Sequence, residues 1–198
     1  MKIFNHKNRR RVFIEPGEYY VSVNGEIIST LLGSCVSACL YDPIQRIMGM
    51  NHFLLAYRAA PSQSPIFETE AGRYGLYAME LLINAMMAKG AKRCNLKAKC
   101  FGGSNVFQFG DDIKSQFSIG DRNVQFIKEF LNKENIPIIN SCLGGSVARS
   151  IFFMPDDFSV YVKKTSHEQL TTIKQIEKTH WQKSLEDKNK TVSQVDYW

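Results

Sequence analysis

The stretch from Ser29 to Leu55, STLLGSCVSACLYDPIQRIMGMNHFLL, decides how this chain folds. Val36, Ala38 and Leu40 alternate as a strand requires, and Ile47 to Leu55 is a second run with β preference. Asp42-Pro43 lies between them and marks a reversal, because proline presets φ and lacks an amide donor. An antiparallel pair around a loop centred near Pro43 and Ile44 sets Tyr41 opposite Arg46. Counting outward from there sets Cys35 opposite His52. Directly opposed residues share a sheet face with Cβ atoms roughly 4.5–5.5 Å apart, close enough for an imidazole to take a thiol proton. A slip of one residue turns either side chain to the other face.

A buried cysteine is most often a small hydrophobe, and a histidine in an apolar strand is most often a satisfied core residue. Two details point instead to chemistry. Gly33 and Ser34 let the backbone turn tightly and approach a ligand just before Cys35. Asn51 and His52 put two polar groups side by side in an apolar run, which needs an explanation. A thiolate attacks a carbonyl carbon, and His52 is placed to generate it. The tetrahedral oxyanion then needs donors, expected from the backbone N–H of Cys35 with Ser34 or a neighbouring loop. Ser34 and Asn51 are also candidates to contact a substrate carboxamide, which offers both a donor and an acceptor. Cys39 shares the strand face of Cys35 and reads as core rather than as a resolving thiol.

Working outward, Tyr19 to Val23 alternates as a strand, Asn24-Gly25 signals a hairpin, and Glu26 to Leu31 is its expected partner. Tyr57 to Pro65 reads as a mobile loop beside the site. Ala71 to Lys89 is the clearest helix, with Tyr74, Tyr77, Ala78, Leu81, Leu82 and Ala85 on one face and Gly90 as its stop. Cys94 to Lys99 is a strand running into Gly102-Gly103. A second helix spans about Asn123 to Asn132, with Asp121 as a plausible N-cap and Val124, Ile127, Phe130 and Leu131 as its apolar stripe. Ile136 to Ser141 is a further strand, and Ile151 to Met154 with Phe158 to Val162 form a terminal hairpin. Strands alternating with two helices predict an α/β sandwich, a single domain with helices packed on mixed sheet.

The chain of 198 residues is long enough for one such core. No apolar run approaches the ~20 residues needed to span a bilayer, and the N-terminus lacks the apolar segment of a secretory signal. Five cysteines, an odd number without a CxxC pair, fit a reduced cytosolic compartment and no metal site. The net charge of +6 is modest, and Lys7, Arg9, Arg10 and Arg11 read as a solvated, partly frayed basic arm without a nucleic-acid motif. After His167 the composition turns polar. Glu168 to Ser184 reads as a solvated tail, with a partner-binding amphipathic helix as the lesser alternative. Arg149, after a Gly-Gly turn, pins a loop or faces a partner. The expected division is a basic arm over 1–14, a catalytic domain over 15–165 and a polar extension over 166–198.

LGSCVSACLYDP followed by MNHFLL, together with PGEYYVS (Pro16 to Ser22), KCFGGSNVF (Lys99 to Phe107), IGDRNV (Ile119 to Val124) and LGGSVARS (Leu143 to Ser150), resembles the chemoreceptor glutamine deamidase family CheD. The resemblance runs from about Glu15 to about Lys164. It implies a cytoplasmic amidohydrolase that converts glutamine side chains of methyl-accepting chemoreceptors to glutamate and ammonia, without cofactor or metal. Cys35 is then the nucleophile and His52 the base, with Gly33, Ser34 and Asn51 around the substrate or oxyanion. The family places a threonine shortly before the cysteine to orient the histidine. Here the ungapped position is Ser29, with Thr30 one residue later as the alternative, and a regular strand lets at most one of them serve. The resemblance also implies docking to a CheC-type phosphatase. The alternatives are a non-enzymatic or dual-role binding module, although the retained Cys35 and His52 argue against a purely binding role, and a receptor methylesterase using the same Cys–His pair.

Overall fold

A computed structural model describes residues 1–6, 9–55, 67, 70–105, 119–165 and 179. Ten strands and two helices account for most of them. In chain order they are β1 (Lys2–His6), β2 (Arg9–Phe13), β3 (Tyr19–Ser22), β4 (Ile27–Leu32), β5 (Val36–Asp42), β6 (Ile47–Asn51), α1 (Glu70–Ala88), β7 (Lys97–Gly102), α2 (Ile119–Lys133), β8 (Ile138–Leu143), β9 (Arg149–Phe153) and β10 (Val160–Lys164). They build two five-stranded mixed sheets, the first ordered β1-β2-β4-β9-β10 and the second β3-β6-β5-β7-β8.

The alternation in the opening stretch sorts side chains onto two cores. Cys35, Cys39, Tyr41, Met48 and Met50 pack between the sheets with Val12, Ile28, Leu32, Ile151 and Phe153. Val36, Ala38, Leu40 and Phe53 face the other way, onto Met79, Leu82, Ile83 and Met86 of α1 and Phe126, Ile127, Phe130 and Leu131 of α2. The order of layers is therefore sheet, sheet, helices, the α/β single domain that the pattern of elements predicts. Gly49 in β6 lets α1 approach, since a Cβ there would lie 2.8 Å from Leu82 Cδ1.

The β5–β6 hairpin is present with a register two residues from the expected one. Tyr41 pairs with Met48 and Asp42 with Ile47, so Pro43 to Arg46 form a four-residue loop and Arg46 lies in it with φ 58°. The buried Asp42 carboxylate sets this loop. It accepts the Ile44 and Gln45 amides at 2.9 and 3.0 Å, and also the Lys92 amide at 2.8 Å and Asn95 Nδ2 at 3.3 Å. Because side chains alternate with period two, a two-residue shift leaves every residue on its expected face.

Three expectations are corrected. Tyr19–Ser22 and Ile27–Leu32 do not pair as a hairpin. Asn24-Gly25 carries the chain from the second sheet to the first, where β3 pairs with β6 and β4 with β2 and β9. The buried Glu26 carboxylate holds that corner by accepting from Ser22 Oγ at 2.7 Å. The basic N-terminus is not frayed: β1 and β2 form a hairpin, β2 runs parallel to β4, and Val12 is fully buried. Arg11 lies over the rings of Phe4 and Phe152. Finally, the buried face of α1 is Met79, Leu82, Ile83 and Met86, and Tyr77 is 63% exposed; a period near 3.6 admits neighbouring stripes, and packing against β6 selects one. Lys7, the Tyr57–Pro65 loop, Val106, Phe107 and the extension over 166–198 other than 179 lie outside the described residues.

Candidate active site

Gly33, Ser34 and Cys35 carry the chain from β4 in the first sheet to β5 in the second, so Cys35 stands where the sheets exchange strands. Each carbonyl of this turn is held by a different partner. Gly33 O accepts the Ser104 amide at 2.8 Å and Cys35 O accepts the Gly103 amide at 2.7 Å. Ser34 O accepts Asn123 Nδ2 at 2.8 Å. Gly102 is required by this approach: with φ 105°, a Cβ there would sit 2.2 Å from Cys35 O. Asp121, expected as the cap of α2, instead lies within that helix and accepts from Asn105 Nδ2 at 3.4 Å. Arg149 is a pin for the neighbouring loop. Its guanidinium donates to Ser104 Oγ at 2.8 Å and to the carbonyls of Cys142, Gly144 and Val147.

His52 follows the end of β6. Its amide donates to Glu18 O at 2.9 Å and its carbonyl accepts the Gly17 amide at 2.8 Å. Beyond it, Val36 and Phe53 exchange both backbone hydrogen bonds. Continuing this register, Cys35 is opposite Leu54 and His52 is opposite Ser37, so Cys35 and His52 are diagonal neighbours on the inter-sheet face. Diagonal pairs are about 7–8 Å apart at the backbone, within reach of an aromatic side chain. Direct opposition is thus corrected to a diagonal, and the shared face stands. Both residues are buried.

Of the two candidate hydroxyls, Thr30 touches the imidazole: its Oγ1 lies 2.7 Å from His52 Nδ1. The same hydroxyl donates to Ile14 O at 2.7 Å. A hydroxyl has one proton, so with that proton on Ile14 the bond to His52 must run from Nδ1–H to Thr30. The neutral ring then carries its lone pair on Nε2. Ser29, favoured by ungapped position, is the correction here. It points away from the inter-sheet face and donates instead to Val12 O at 3.4 Å. Thr30 shares its strand face with Ile28 and Leu32, which belong to the inter-sheet core, and this parity decides between the two.

Asn51 is also relocated. It faces α1, accepting the Ala38 amide at 3.0 Å and donating to Ala78 O at 3.3 Å. Strand alternation puts it on the face opposite His52, so it ties β5 and β6 to α1 and does not meet a substrate beside Cys35. Burial pushes the Cys39 thiol up, and it pushes Cys100 up to about 12; both belong to the core. Tyr74 of α1, assigned above only to an apolar stripe, lies in the field of Cys35. Partial desolvation of this half-exposed side chain first, and then repulsion from Cys35 in its thiolate form, raises its phenol above the ordinary value. Nothing in a helical stripe distinguishes such a tyrosine from one that simply fills space.

The chain matches the model of a family described as CheD chemotactic sensory transduction over residues 59–164. A Shewanella oneidensis protein named probable chemoreceptor glutamine deamidase CheD 2 is 42% identical over 193 residues, covering 96% of this chain and 95% of the relative. A Geobacter sulfurreducens protein named probable chemoreceptor glutamine deamidase CheD 1 is 40% identical over 192 residues, covering 97% and 96%. A Zymomonas mobilis protein with the same type of name is 46% identical over 157 residues, covering 78% and 80%. The first two similarities extend past Thr165, further than the quoted motifs. Among solved structures, a Neisseria meningitidis protein of the DUF152 family aligns with a TM-score of 0.38 at 13% identity, over 65% of this chain and 52% of the other.

Proposed function

The chain belongs to the CheD family, and from that premise we propose that it is a chemoreceptor glutamine deamidase acting through Cys35 and His52. The observation that carries the catalytic assignment is the Thr30–His52 bond of 2.7 Å, which leaves Nε2 as the basic nitrogen of a ring on the same sheet face as the thiol. His52 takes the proton of Cys35, and the thiolate attacks the carboxamide carbon of a receptor glutamine. The C=O pair moves to oxygen, and the resulting oxyanion is met by the N–H of Cys35 together with that of Ser34. The imidazolium protonates the departing amine, ammonia leaves, and a thioester remains. Water, deprotonated by His52, attacks the thioester carbon; glutamate departs and the thiol is restored.

Incubation with a receptor cytoplasmic fragment tests this by peptide mass. A gain of about one dalton at specific glutamines, lost in Cys35→Ala and His52→Ala, is expected, because removing nucleophile or base abolishes most of the acceleration. A competent receptor that gains no mass would overturn the reading. Methanol released from methylated receptor in place of ammonia would identify an esterase.

The same reading places the protein in the cytoplasm with its substrate; among the described residues no helix is long and apolar enough to cross a membrane. The family resemblance alone supports a CheC-type phosphatase as a second partner. Co-purification with such a phosphatase, competed by receptor fragment, is the expected result.

A further inference from the structure

The IGDRNV motif contributes to the site through one side chain that the reaction above does not use. Asn123 lies on α2 and is fully buried. Its Nδ2 donates to Ser34 O at 2.8 Å and its Oδ1 accepts the Leu55 amide at 2.9 Å. The carboxamide orientation is set by these partners, since a carbonyl requires a donor and an amide requires an acceptor. One residue therefore grips the peptide unit just before Cys35 and the chain three residues beyond His52.

A peptide unit is planar and trans, so its C=O and its N–H point in opposite directions. Whatever fixes the Ser34 carbonyl also fixes the N–H of Cys35, which belongs to the same peptide unit. We infer that Asn123 is the positioning residue of the oxyanion site, aiming the Cys35 N–H by holding the Ser34 carbonyl from behind. This rests on the Cys35 deamidase reading and deepens it. The flanking carbonyls of Gly33 and Cys35 are tied to the backbone of Ser104 and Gly103, whereas the Ser34 carbonyl is tied to a side chain. That side chain rides on a helix packed tightly against this turn. A Cβ at Gly120, one turn earlier in α2, would lie 2.5 Å from Gly103 O. Helix α2 is thus seated directly on the segment that also holds Cys35 O. A donor aimed at developing charge must be held before the reaction begins, since reorienting it afterwards forfeits its advantage.

Asn123→Asp keeps an oxygen for the Leu55 amide and removes the donor to Ser34, while Asn123→Ala removes both. Each is assayed beside wild type, at a temperature where its circular dichroism matches wild type. Loss of a whole oxyanion donor costs about 100- to 1,000-fold, so loss of its support is expected to lower kcat for receptor deamidation by roughly 10- to 100-fold. KM is expected to hold. So is the rate of Cys35 alkylation by iodoacetamide, followed on the Cys35 peptide, because that substitution develops no oxyanion. An unchanged kcat, or alkylation falling in step with kcat, would overturn the inference. Wild type that alkylates but does not deamidate would overturn the deamidase reading itself, and the inference with it.

A second measurement needs only wild type. With a receptor peptide carrying an aldehyde in place of the glutamine carboxamide, the Cys35 thiol gives its proton to His52, its sulfur bonds to the carbonyl carbon, and the C=O pair moves to the oxygen, which then occupies the oxyanion position. Hydrogen bonds in series polarise one another, so the Asn123 side-chain amide resonance should move downfield together with the Cys35 amide resonance. Movement of the Cys35 resonance with Asn123 unmoved would overturn the coupling.

Discussion

Replacing Thr30 by valine removes one oxygen from the site while nearly preserving its volume. In the resting enzyme this oxygen accepts Nδ1–H of His52 at 2.7 Å and donates to Ile14 O at 2.7 Å. When His52 takes the thiol proton the ring becomes cationic, and the bond from Nδ1–H becomes charge-assisted. Such bonds are worth about 1.5–3 kcal/mol, against about 1 for a neutral bond. If the whole charge-assisted bond is lost as the proton transfers, the barrier rises by a similar amount. At 1.36 kcal/mol per factor of ten this is roughly a 10- to 150-fold fall in kcat/KM. Freeing the ring to adopt its other tautomer acts in the same direction. The orphaned Ile14 carbonyl adds about 1–3 kcal/mol of destabilisation. Thr30→Ser restores the hydroxyl and should recover activity to within a few-fold of wild type, since only a methyl group is lost. Ser29→Ala breaks a long 3.4 Å bond to Val12 O and should leave kcat/KM within about twofold, because a bond at the limit of hydrogen-bonding distance contributes little and its hydroxyl does not touch His52. The assay is initial-rate deamidation of receptor fragment, with melting temperature measured in parallel. Thr30→Val with wild-type kcat/KM, or Ser29→Ala with the larger loss, would refute the reasoning.

Two further outcomes follow from the loop and turn that frame the site. Burial alone would raise the Asp42 carboxyl, but the amides of Lys92, Gln45 and Ile44 and the Asn95 carboxamide outweigh it and hold its pKa below the ordinary value. A depressed folded pKa means stability that is present above the unfolded value of about 3.9 and is lost as pH falls through the folded one. Asp42→Asn should therefore cost about 2–3 kcal/mol near neutrality, and the gap to wild type should narrow in urea titrations below pH 4; a gap constant with pH would count against it. Gly102→Ala puts a Cβ 2.2 Å from Cys35 O at φ 105°. It should lower the melting temperature by roughly 4 °C or more, as 2 kcal/mol does for a domain of this size, and abolish most activity; a fully active, equally stable variant would show that the turn relaxes without loss.

Local chemistry accounts for what the amino-acid sequence determined. Alternation along Val36–Asp42 and Ile47–Asn51, with Asp-Pro between, specifies a hairpin whichever even register it takes, so Cys35 and His52 share a face even though the loop has four residues. Both helices and the terminal hairpin are legible for the same reason, since each depends on contacts close along the chain. The motif resemblance reaches the family independently of any register. What tertiary structure alone decided depends on partners far away. Asn24-Gly25 reads as a hairpin, yet the sheets claim Tyr19–Ser22 and Ile27–Leu32 separately, because β4 finds its partners in β2 and β9. Thr30 rather than Ser29 meets His52 because that face of β4 is the one closed by the second sheet, which no count from Cys35 can reveal. Asn51 reads as a neighbour of the reaction until α1 covers its face. Asn123 reaches Ser34 across 89 residues of sequence, and only the packing of α2 onto the Gly102-Gly103 turn brings the two together.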